Sequence, residues 1–169
     1  MPGSEFEDAY EDEQRIRGVM FNTLIGEFNL RQPVQVKTST AVADAVAAMN
    51  ANRIGCLLVT DNGKTVGIFT ERDVLTRVIY KDESRMLTVG DVMTPNPESL
   101  SVGDTIAYAL NKMSVGGYRH IPINDETGMP IGVLSVRDIV DFLVELFPES
   151  VLNLPPRPDL GIPQSVDGG

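Results

Sequence analysis

Apolar residues in this chain recur at two spacings, and each spacing occurs twice. Val42, Ala45, Val46 and Met49 stand at i, i+3, i+4 and i+7, and Ile106, Ala109, Leu110 and Met113 repeat the pattern in the second half of the chain. Such spacing lines one face of an amphipathic helix, so a helix is predicted at each place. Short apolar runs follow, Cys56-Leu57-Leu58-Val59 and His120-Ile121-Pro122-Ile123. Their length and polar flanks predict buried strands. Turn residues close the runs, Asp61-Asn62-Gly63-Lys64 in the first copy and Asn124-Asp125-Glu126-Thr127-Gly128 in the second. The second turn is one residue longer, so the register between the copies slips by one beyond it. Further strands are predicted over 66–69 and 131–134. Second helices follow, with apolar faces at Val74, Leu75, Val78 and Ile79 and at Ile139, Val140, Leu143 and Val144.

With leading strands at 34–36 and about 99–101, each unit reads strand, helix, strand, strand, helix. Thr40 and Asp104 are the expected N-caps of the first helices, because a side-chain oxygen there satisfies a free amide. A unit of roughly 55–60 residues buries too little surface to be comfortable alone. The fold class expected is therefore α/β (α+β), two such units sharing one core as a pseudo-two-fold pair.

The strongest copy-to-copy match is Gly67-Ile68-Phe69-Thr70-Glu71-Arg72-Asp73 against Gly132-Val133-Leu134-Ser135-Val136-Arg137-Asp138, glycine, two apolar residues, a hydroxyl, any residue, arginine and aspartate. Between the copies runs Thr88-Val89-Gly90-Asp91-Val92-Met93-Thr94-Pro95-Asn96-Pro97, whose prolines stop helices and force extended backbone, as in a linker. The expected organisation is an acidic segment and helix over 1–29, a first repeat over 30–82, a linker over 83–98, a second repeat over 99–147 and a proline-rich extended tail over 148–169.

Together, the two Gly-x-x-Thr/Ser-x-x-Asp elements, the Val-Met-Thr-Pro joint, Arg-His-Ile-Pro-Ile and the strand–helix order resemble the tandem CBS domain pair, named after cystathionine beta-synthase, in a small stand-alone, bacterial-type form. The resemblance covers about residues 30–147. It implies a flat pseudo-two-fold module with adenine nucleotides in the cleft between repeats, and two modules associating into a disc-shaped homodimer. Carried over by motif, one pocket would use Thr38, Ile54, Gly55 and Cys56 with Val133, Ser135 and Asp138. The other would use Ser101, Tyr118, Arg119 and His120, continuing into Ile121 and Pro122, with Ile68, Thr70 and Asp73. Arg72 and Arg137 precede the two aspartates and complete the expected ligand-binding set.

The residues themselves admit two readings. Thr70 to Asp73 and Ser135 to Asp138 are each a capping box, hydroxyl at the N-cap and carboxylate three residues on. A helix N-terminus also suits phosphate. Thr70 or Ser135 can donate to a phosphate oxygen, while Asp73 or Asp138, if turned outward, can accept from both ribose hydroxyls. Arg119 and His120 supply cations where the first copy has Gly55 and Cys56, so the half-sites are expected to be unequal. Gly55 leaves room for close approach of a ligand. Tyr118 reads as a stacking or a core residue. Pro122 removes a ladder donor, so its strand should be short or at an edge.

Composition narrows the classes. A net charge of −10 on 169 residues argues against non-specific nucleic-acid binding. No apolar run approaches the roughly 18 residues that span a bilayer, and no signal-peptide pattern is visible. A single Cys forms no internal disulfide and fits a cytoplasmic location. One His and one Cys argue against a structural zinc site. The segment 1–12 is expected to be mobile, and Ile16, Met20, Leu24 and Phe28 to share one face of a helix over 13–28. No nucleophile or metal cluster accompanies His120, so no catalytic residue, metal or required cofactor is expected. The function expected is a regulatory or sensing module for AMP, ADP or ATP. The alternative is a nucleotide-independent module for dimerisation or docking a protein, its pockets empty.

Overall fold

The computed structural model describes residues 3–79 and 86–147. The chain divides into two compact units, with the boundary between Val136 and Arg137. The tail beyond Phe147 lies outside the described residues.

The first unit opens with helix α1 (Gly3–Asn22), which packs against α5 (Ile106–Gly116). Helix therefore occupies most of the stretch expected to be mobile, and it ends before Leu24 and Phe28. Acidic residues such as Glu7 and Glu11 crowd its first half, the end where the macrodipole favours negative charge. Leu24 and Phe28 leave the helix because residues 23–26 are engaged elsewhere. Ile25 N–H donates to the Asp104 carbonyl at 2.8 Å, and Gly26 N–H to that of Val102 at 2.9 Å.

The first repeat follows as β1 (Gln35–Val36), α2 (Val42–Asn52), β2 (Cys56–Asp61), β3 (Lys64–Thr70) and a short α3 (Glu71–Asp73) that widens into a π-turn over Val74–Val78. Then come α4 (Val89–Val92) and β4 (Thr94–Pro95) within the stretch expected to link the copies. The strands form a sheet in the order β1-β2-β3-β4. Val42, Ala45 and Met49 of α2 cover it with Leu57, Val59 and Phe69 in a core that includes Val78, Val89 and Val92. The predicted apolar faces of the first helices are thus buried except at Val46 and Leu110, which are half-buried. Of the first repeat's second-helix face only Val78 is buried, while Leu75 and Ile79 are 59% and 61% exposed.

The second repeat runs through α5, β5 (His120–Asn124), β6 (Pro130–Ser135) and α6 (Val136–Leu146), the last lying almost wholly in the second unit. Its sheet is thinner. β5 and β6 pair with each other, flanked by single bridges Leu100↔Ile123 and Arg31↔Val133. Pro122 explains the difference. In the first repeat Leu58 N–H donates to the Val34 carbonyl, helping to hold β1 alongside β2. Pro122 occupies the position equivalent to Leu58 and has no N–H, so the leading strand shrinks to a bridge.

Each repeat's leader is bonded to the other repeat. Residues 23–26 pair with 102–106, and residues 87–90 pair with 38–42 through Val89 N–H to Thr40 O and Gly90 N–H to Thr38 O, both 2.8 Å. The bonds correspond one to one in the register that sets Val42 on Ile106, down to Glu27 and Asp91, which accept from the Leu24 and Thr88 amides. This pairing also moves the helix caps. Ala41 and Thr105, not Thr40 and Asp104, are the N-caps, because the bridges Ala41↔Thr88 and Leu24↔Thr105 hold them extended. Thr40 Oγ1 and the Asp104 carboxylate instead close the preceding turns by accepting from Lys37 and Ser101 amides.

No helix among the described residues is long and apolar enough to cross a membrane.

Candidate functional site

The glycine of the doubled element has a packing cause. A Cβ on Gly67 would collide with the Met93 side chain, and one on Gly132 would come within 2.9 Å of Leu30 Cβ. The residue that follows each leader by a few positions therefore packs closely where the motif's glycine permits it. Next along the strand, Ile68 packs with Cys56 and Leu58, and Val133 of the second copy packs against them. The two copies of the element thus meet through their apolar positions, Ile68 and Val133.

β3 delivers Thr70 to the start of α3. Asp73 Oδ2 accepts from both the Thr70 amide and the Thr70 hydroxyl at 2.9 Å, and the Asp73 amide donates back to Oγ1 at 3.4 Å. The capping box is therefore formed. Asp73 is buried, and its second oxygen lies 3.3 Å from the Arg77 guanidinium. The outward turn that a ribose contact calls for is absent here.

Cross-repeat contacts gather around α3. Arg72 donates to the Gly117 carbonyl at 2.7 Å, laying the α3 turn beside the entry to β5. A Cβ on Gly55 would lie 3.4 Å from both the Glu71 carboxylate and His120 Cε1, so these groups converge on the start of β2. Equivalent bonds tie strand to helix in the two copies, Glu71 N–H to Gly55 O at 3.1 Å and Val136 N–H to Arg119 O at 3.0 Å. Arg119 is exposed and His120 half-buried, which leaves the β5 entry cationic beside the α3 turn.

The remaining predicted residues are more dispersed. Tyr118 stands against Gly116, and its hydroxyl donates to Glu98 at 2.7 Å. Burial and that carboxylate push the phenol up to about 12. Lys112 and Tyr118 hold Glu98 below the usual carboxylate range by hydrogen bonding. Ser101 is exposed and closes a turn onto the Asp104 carboxylate at 2.7 and 3.1 Å. Thr38 is exposed, its carbonyl taken by Gly90. Ile54 packs on the first core, and Ile121 and Pro122 are buried. Ser135 ends β6 opposite His120, as Thr70 ends β3 opposite Cys56. Arg137 and Asp138 belong to the second unit, where Arg137 pairs with Asp141 at 3.7 Å and Asp138 is half-buried. Sequence reasoning missed Glu71, Arg77, Glu98 and Lys112. Only Arg77 carried a signal, its i,i+4 spacing from Asp73. No group of three potential metal ligands occurs among the described residues.

A duplicated strand–helix–strand–strand–helix unit with these elements in register matches the CBS domain profile at residues 25–80 and 89–145. The chain belongs to the CBS domain family. Both matches begin at the leaders, Ile25 and Val89, that the hydrogen bonds make equivalent. Among solved structures, this CBS pair resembles an uncharacterized conserved protein of Pyrococcus horikoshii at 29% identity and a TM-score of 0.67, covering 73% of this chain and 93% of that one. It also resembles CBSX2, solved in complex with AMP, at 25% identity and a TM-score of 0.61, covering 74% and 98%. The CBS domain-containing protein CBSCBSPB3 of Arabidopsis thaliana is 30% identical over 151 residues, or 88% of this chain. The chain spans 27% of that protein's length and 14% of a fission-yeast relative, the meiotically up-regulated gene 70 protein.

Proposed function

We infer that this CBS pair is a regulatory module that binds an adenine nucleotide, AMP or ATP foremost, where the α3 turn of the first repeat meets the β5 entry of the second. The observation that carries the reading is the Arg72–Gly117 hydrogen bond. It ties the turn carrying Thr70 and Asp73 to the segment leading into Arg119 and His120. The cationic β5 entry takes the phosphates, joined by Thr70 once its hydroxyl turns from Asp73, because charge-assisted bonds to phosphate oxygens are the strong ones. Asp73 retains lone-pair capacity for a ribose diol beyond its capping bonds. Ile68 covers a face of the base. AMP in the CBSX2 complex supports the ligand class. Binding tightens this junction and shifts a pre-existing equilibrium, read out as a change in dimer shape or partner affinity. The exposed Leu75 and Ile79 support self-association.

Isothermal titration with AMP, ADP and ATP tests the reading. Saturable heat is expected, with Arg119→Ala weakening ATP more than AMP because it removes a phosphate cation. Absence of heat with all three overturns it. A second reading, a docking module with an empty site, is favoured by the formed capping box and the buried Asp73. It predicts light-scattering masses of a dimer that no nucleotide changes.

A further inference from the structure

Arg77 marks a difference between the two repeats just beyond the doubled element. It stands four residues after Asp73, and in the register that sets Asp73 on Asp138 its equivalent is Phe142. One of its guanidinium nitrogens lies 3.3 Å from Asp73 Oδ1 and donates to the carbonyls of Val92 and Met93 at 2.9 and 2.8 Å. The backbone differs at this place as well. The turn over Val74–Val78 is π-helical, whereas Val136–Leu146 is plain α-helix. π-turns interrupt α-helices frequently at functional sites.

We propose that Arg77 is a positioning residue for diol recognition. It holds the Asp73 carboxylate in place for a ribose diol, which turns Oδ1 outward on binding, and ties that acceptor to the segment joining the repeats. Three observations converge. Oδ2 is occupied by Thr70, so Oδ1, the oxygen Arg77 faces, is the one left with acceptor capacity outside the capping box. Asp73 is buried, and the Arg77 guanidinium is the cation that faces it. Met93, whose carbonyl Arg77 holds, also packs its side chain on Gly67, so the joint touches the doubled element at two points. From Val92 and Met93 the joint continues through α4 to Gly90, whose amide bonds the Thr38 carbonyl. A diol that redirects Oδ1 therefore pulls on the same guanidinium that fixes the joint. The proposal rests on nucleotide binding at the α3 turn and adds to it the residue that reads the ribose.

The test compares AMP with its 2′-deoxy analogue on the full chain by isothermal titration. The wild type is expected to prefer AMP. Arg77→Gln is expected to lose about tenfold in AMP affinity, the scale of one charge-assisted hydrogen bond, with little change for the deoxy analogue. Arg77→Lys, which keeps the charge, is expected to recover part of the preference, and Arg77→Gln added to Asp73→Asn to cost nothing more. Equal losses for both nucleotides in a folded Arg77→Gln chain would make Arg77 merely structural and overturn the proposal. An unchanged preference in that variant overturns it while leaving nucleotide binding intact. No heat from the wild type overturns both. Thermal melting of each variant separates misfolding from lost recognition, and should Arg77→Gln misfold, the Arg77→Lys preference decides, an undiminished ratio between the nucleotides at unchanged affinity counting against the proposal.

Discussion

Residue by residue, the duplication acts as an internal control, because the same backbone place is filled by two side chains. Helix α2 ends at Arg53 with φ of 52°, and α5 ends at the equivalent Gly117 with φ of 68°. Both are left-handed C-caps, but only the glycine adopts that conformation without a Cβ penalty. Arg53→Gly is therefore expected to stabilise the chain and Gly117→Ala to destabilise it, each by about 1 kcal/mol. Urea denaturation with matched m-values measures both. The motif's hydroxyls, aspartates and arginines were legible at this scale because spacing alone brings Thr70 to Asp73. The anchoring of Arg77 beside Asp73 was not, since it depends on carbonyls 15 and 16 residues further along the chain.

At the level of elements, three-and-four spacing located every first helix and its buried face. It located the second helices less completely, since periodicity reports apolarity and not what covers it. Leu75 and Ile79 satisfy the pattern yet face solvent. The period gave no sign of the leaders, whose partners are backbone amides and carbonyls that leave no trace in side-chain pattern. Tyr118 ties the loops on either side of α5 to that helix, since its carboxylate partner Glu98 precedes α5 and Lys112 within α5 shares that carboxylate. Its phenol is raised from 10.0 to about 12, so the folded state holds the proton more tightly than the unfolded chain. The resulting stability is complete below pH 10 and is lost as pH rises through about 12. Absorbance titration of phenolate should resolve a late-ionising tyrosine, and Glu98→Gln should move it downward. A midpoint insensitive to Glu98→Gln would leave burial as the sole cause.

Across the whole molecule, the reciprocal leaders make the order of folding units differ from the order of sequence. Ile25 is fully buried, and residues 23–26 are bonded to the second repeat. Deleting residues 1–30 is therefore expected to destabilise the chain by about 3–5 kcal/mol, the cost of emptying a large apolar site and stranding amide partners. Differential scanning calorimetry would read this as a large drop in Tm. A drop no larger than removing residues 1–22 causes would show that the leader contributes little.

Consider a single cut between Ile79 and Met86. The first fragment would hold the leader that the second repeat requires, and the second fragment would hold the leader that the first requires. Neither piece carries a finished unit, yet each carries the other's missing edge. Such halves complement by necessity, so this fold offers a natural split reporter, silent when the fragments are apart and restored when a fused pair of partners brings them together.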